Sequence, residues 1–187
     1  MYIAKAKRKE NIAEYILYLW QLEDLLRAIG LEEAGIYDQL VATQKDLNEE
    51  QKQQLLFWYI DMVNLLKSEG KTKNGHLEHT LHLIQDLNDL HLQLLRLPVG
   101  KEYAGLYRIA QPEIEKIRAS LGNPEMSDLE VCFRALYAVV LMRLKGGDEN
   151  EAYIRDVLEV ISPLIAKLTQ IYHQVERGEI DLFKGVE

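Results

Sequence analysis

Cysteine is nearly missing from this sequence, and its one copy, Cys132, has no second thiol in the chain to pair with. That excludes a disulfide-stapled secreted scaffold and leads to the expectation of a cytoplasmic protein. Long apolar runs are missing too. The longest unbroken one, Ala135 to Met142, falls far short of the roughly 20 residues a helix needs to cross a bilayer. No secretory leader is apparent, because Glu10, Asn11 and Glu14 interrupt the chain soon after Lys5, Lys7, Arg8 and Lys9. Positive charge is in deficit: 22 Lys and Arg stand against 30 Asp and Glu, a formal charge of −8, which argues against nucleic-acid binding. Glycine spacing that cradles phosphate is absent, as is any Gly-x-Ser-x-Gly nucleophile setting. Proline occurs only four times, so few points force a helix to break.

What remains is helical. Hydrophobic residues make up 48% and charged residues 28%, with Leu, Glu, Lys, Ala and Gln prominent. Apolar residues recur at i, i+3 and i+4, and no alternating strand pattern appears. The spacing predicts a first helix from about Lys7 to Ile29, ended by Gly30, then helices over 32–44, 48–67, 76–96, 102–121, 127–145 and a last one ended by Gly178. Asn48 with Gln51 and Ser127 with Glu130 read as capping boxes, and Asp148 as the cap of the last helix. Pro112 and Pro163 should bend the helices that hold them. The predicted fold is all-α: a single-domain bundle of about six to seven helices over 1–178, with a tail at 179–187. Ile180, Leu182 and Phe183 of that tail are placed to dock. A helix near 128–145, apolar around almost its whole circumference, should lie at the centre.

Four of the five histidines, His76, His79, His82 and His91, crowd one stretch. Helical geometry sends His76 and His91 to the leucine-rich side and His82 to the polar side, with His79 between. One ion therefore cannot take all four. His82 and Asp86, at i and i+4, with His79, form a candidate set for a divalent transition metal. No cofactor is otherwise predicted and no catalytic residue is assigned. The competing reading is of solvated or packed histidines.

Two charges project from apolar stripes: Glu23 of the first helix and Arg143 of the central one. A buried charge costs several kcal/mol if left alone, so Glu23 is expected to pair with Arg143, Arg27 or a histidine. Such a pair either fixes helix register or lines a polar pocket. Glu23, Arg27, His76, His79 and Arg143 are the candidate ligand-binding residues on the second view. Leu17, Tyr18, Trp20 and Leu25 lie off the main stripe of the first helix. That surplus means either heavy internal burial or an interface, and on the second view the expectation is a homodimer formed through helical faces that include Trp20. The basic residues at 5–9 read as a solvated terminus, with no membrane role.

The stretch from Lys7 to Ala28, KRKENIAEYILYLWQLEDLLRA, resembles a family of short all-helical bacterial proteins of unknown function, found chiefly in Bacteroidetes. The segment Asn74 to His79, His91, the pair Leu136 and Tyr137, and Leu141 to Lys145 add to the similarity. The resemblance implies a cytoplasmic helical protein, supplies no catalytic residues to carry over, and draws notice to Glu23, Asp24, Arg27, His76 and His79 as a group. Two functions stay open: a non-catalytic scaffold that self-associates, or a bundle that binds a metal or small molecule through the 76–91 histidines and Glu23.

Overall fold

A computed structural model describes residues 1–146 and 151–182. Among the described residues there are eight α-helices and no strand: α1 (Tyr2–Glu10), α2 (Ile12–Ile29), α3 (Glu33–Ile36), α4 (Glu49–Ser68), α5 (Glu78–Leu94), α6 (Lys101–Leu121), α7 (Asp128–Leu144) and α8 (Glu151–Glu176). A short π-helix, Tyr37–Val41, extends α3. The predicted cap at Asp148 and the tail residue Phe183 lie outside the described residues.

The expected first helix is two. Asn11 is extended, and its side chain accepts from the N–H groups of Ala13 and Glu14, so it caps α2 and ends α1. Across the molecule, the Ile12 N–H donates to His173 Nε2 at 3.1 Å. That nitrogen therefore carries no proton, and Nδ1–H faces Glu176 Oε2 at 3.1 Å. The other caps follow the sequence more closely. Gly30 takes the left-handed conformation that closes α2. Asn48 and Gln51 form both arms of a capping box on α4. Ser127 accepts from the Glu130 N–H, but the Glu130 carboxylate turns away to Arg134, so only one arm of that box forms. Pro112 and Pro163 are carried inside α6 and α8.

Two apolar clusters share α2. The larger joins Ile12, Ile16 and Trp20 to α5, α6, α7 and α8; the smaller joins Leu19, Leu22 and Leu26 to α3, α4 and Leu77. Central placement of α7 holds over its first three turns, where Leu129, Cys132, Phe133 and Leu136 are buried against α2, α5, α6 and α8. At its far end Leu144 is 73% exposed. Gly100 sits where α6 begins against the end of α5. A Cβ there would lie 1.9 Å from the Leu94 carbonyl oxygen, so only glycine fits. Leu182 of the tail packs on the larger cluster.

Candidate functional site

Polar groups gather in three places. The first lies where α2 meets the connection into α5. Glu23 is 0% exposed. His76 Nδ1 donates to Glu23 Oε2 at 2.8 Å, and the Leu77 N–H donates to Oε1 at 3.3 Å. An Arg27 amine stands 3.8 Å from Oε2. Arg27 also holds Asp24 at 2.6 Å, and it donates to the Lys71 carbonyl at 2.9 Å and to the Gly75 carbonyl, which ties the 70–75 connection onto α2. The Trp20 ring stacks on His76 at 3.8 Å and 8°, and Tyr137 meets the imidazole edge-on at 5.6 Å. Trp20 Nε1–H donates to Thr80 Oγ1 at 3.0 Å, and Thr80 donates onward to the Leu77 carbonyl. The Tyr137 hydroxyl donates to Asp24 and lies 3.1 Å from the Trp20 carbonyl. Burial first, then Asp24, pushes that hydroxyl well above the ordinary phenol range. Rings occupy the space around His76, whose side chain is 13% exposed. The arrangement is a packed joint that locks α2 to α5 and α7.

Two sequence expectations change here. Arg143 is exposed at the end of α7 and is not the partner of Glu23, because the apolar stripe that carries it runs out of neighbours in that last turn. Trp20 is 0% exposed within the chain, so it has no free face to offer a second copy.

The second gathering joins α5, α6 and α7. His91 Nδ1 and the Tyr103 hydroxyl are 2.7 Å apart, both buried. Tyr107 donates to Asp128 at 2.7 Å, and Arg118 pairs with Asp128. His91 Nε2 lies 3.6 Å from Asp128 and makes no hydrogen bond among the described residues. His91, then Tyr107 and Arg118 hold the Asp128 carboxyl well below its ordinary range against the cost of burial. Cys132 is buried beside this group, and burial pushes its thiol up. The remaining histidines behave differently. His79, His82 and Asp86 are exposed along α5. Among the described residues no three His, Cys, Asp or Glu side chains gather in a way that could hold a metal ion.

The third gathering is open. A cavity of about 590 Å³ lies between α1, α2, α4 and α8. Its lining includes Ala4, Lys5, Arg8 and Lys9 from α1, Tyr15, Trp58, and His173 and Glu176 from α8, with Arg177 just beyond. Most of the accessible wall is carbon. Arg8 is pinned at one side: it donates to Glu176 Oε1 and to the Tyr172 hydroxyl, each at 3.1 Å. Burial opposes the Arg8 charge, but Glu176 and Tyr172 more than offset it and raise the guanidinium above its usual value. Sequence reading took the basic residues as a loose terminus and missed Tyr15, Trp58, His173 and Glu176. The only signal was weak: Lys5, Arg8 and Lys9 share one helical face, as do His173, Glu176 and Arg177.

A family model matches residues 1–179. The chain belongs to DUF4924, a domain of unknown function. No curated protein and no solved structure matches it. The family thus covers every helix described above, and the chemistry must be read from the geometry. Among the described residues no helix is long and apolar enough to cross a membrane.

Proposed function

We propose that this chain works by binding rather than by catalysis, and that its binding surface is the cleft between α1, α2, α4 and α8. The observation that carries this reading is a contrast in occupancy. About 590 Å³ stays open in the cleft, between aromatic rings and cations, whereas Glu23 and His76 are enclosed by Trp20 and Tyr137. A volume in that range, mainly apolar with a few charged groups at the edge, suits a small molecule. A bacterial, cytoplasmic setting belongs to the same proposal, supported by the family resemblance and the lone buried thiol. Nitrogen–proton correlation spectra, recorded against a panel of small molecules of every charge type, test it. Binders should move the Trp58 indole and the amides of Lys5, Lys9 and His173. Binders that move only signals elsewhere, or a panel with no binder, would remove the cleft from consideration.

Self-association is the second reading, and it moves from Trp20 to α4. Phe57 and Leu65, two turns apart on that helix, are 59% and 43% exposed, leaving apolar surface unused within the chain. Sedimentation at high micromolar concentration should then show a homodimer that the pair of changes Phe57→Lys and Leu65→Lys returns to monomer. A wild-type monomer under those conditions ends this reading.

A further inference from the structure

Resting on the cleft as the binding surface, we infer that its ligand is an amphiphilic acid: a small molecule with an apolar body and a carboxylate or phosphate head. The charge balance points that way. The whole chain carries −8, yet the cleft collects Lys5, Arg8, Lys9 and Arg177 against the single carboxylate of Glu176. With Arg8 matched by Glu176 and Arg177 by Glu179, Lys5 and Lys9 remain as a local excess of two. An anion approaching this protein meets repulsion elsewhere and attraction here.

The cations are not equally available. Arg8 is spent on Glu176 and Tyr172, and Arg177 pairs with Glu179 at the surface. Lys5 and Lys9 have no ion-pair partner among the described residues. Their ammonium groups are compact, freely rotating donors that suit an acid head without demanding one geometry. Arg8 positions the wall instead of meeting the ligand, holding α1 against α8. His173 adds no charge in its observed role, since Nε2 accepts the Ile12 N–H.

The body of the ligand is set by the floor. Ala4, Tyr15 and Trp58 contribute a methyl group and two aromatic rings to the lining. Trp58 is itself braced by Tyr59 with ring centroids 5.2 Å apart. An inorganic anion would leave that floor wet, and a neutral hydrocarbon would leave two lysines without a counter-charge. A molecule carrying both features satisfies both halves of the cleft.

The test uses octanoate and phenylbutanoate, each beside its neutral alcohol and its cationic amine, with inorganic phosphate as a headgroup alone. In the same nitrogen–proton spectra the two acids should give saturable shifts at Trp58, Lys5 and Lys9. The alcohols should bind about tenfold or more weakly, and the amines and phosphate should leave the cleft signals still. The double reversal Lys5→Glu with Lys9→Glu, both exposed positions, should weaken acid binding by about tenfold or more while the melting curve stays in place. Alcohols or amines that match the acids in the cleft would overturn the inference and leave the cleft as a binding surface. So would acids that bind equally well to the double variant. Failure of both acids, alongside co-sedimentation with phosphatidylglycerol vesicles, would assign the basic face to a lipid surface and also overturn it.

Discussion

The joint around Glu23 and the cleft beside Arg8 are both gatherings of charge and aromatic rings, yet they are opposites. In the joint each Glu23 oxygen has a partner, the imidazole is stacked, and the nearby arginine is tied to backbone carbonyls. In the cleft one ion pair is closed and two lysines are left over, facing a cavity. The joint also lies where α2 meets α5 and α7, while the cleft lies along α1, which packs mainly on α2. A buried charge whose hydrogen bonds are met is a device for holding helices in register. An open cavity with unmatched cations is a place for something to arrive.

The largest expected effect that sharpens this contrast comes from Glu23→Ala. It strips His76 and the buried Leu77 N–H of their acceptor, and urea unfolding should show a loss of about 3–5 kcal/mol. A loss below about 1 kcal/mol would make the joint no more structural than the cleft. Next comes Asp128→Asn, which should cost about 1–3 kcal/mol at neutral pH. Because Asp128 titrates below its ordinary range in the folded state, its contribution is present above the unfolded carboxyl value and fades as pH falls through the folded one. Wild type should therefore lose stability relative to the Asn variant as the solution is acidified below about pH 4; parallel stability curves would contradict this. Tyr137→Phe removes one hydroxyl from the joint and should cost about 1 kcal/mol, read as a small drop in melting temperature. The smallest effect belongs to the cleft. Reversing Lys5 and Lys9 should change stability by no more than about 0.5 kcal/mol, and a larger loss would mean that α1 depends on them.

Much of the fold was legible because helix signals are local. Gly30, Asn48 with Gln51, and Ser127 mark their boundaries with chemistry that acts within one turn. The break at Asn11 was not legible, since a polar residue beside an apolar stripe also reads as an outward position. Its cap is completed from α8, 161 residues away. Glu23 was recognisable as a buried charge, and a histidine and Arg27 stood among its expected partners, but the choice between them and Arg143 was not legible. A helical wheel ranks faces without showing where neighbouring helices end, so Arg143 looked inward although it is exposed. Trp20 looked surplus for the related reason that one helix, α2, serves two apolar clusters. The cleft escaped because its walls come from four helices, and the ion pair that closes one side spans 168 residues.

Cys132 turns from a residue of little chemical interest into a gauge. It sits in the stretch of α7 surrounded by other helices, and its thiol is out of reach of solvent. A thiol reagent can label this chain only when the packing around that stretch of α7 opens. With a single sulfhydryl there is one signal to follow, so labelling speed in native buffer counts openings that reach α7, and an amphiphilic acid that holds α1 against α8 should slow that count.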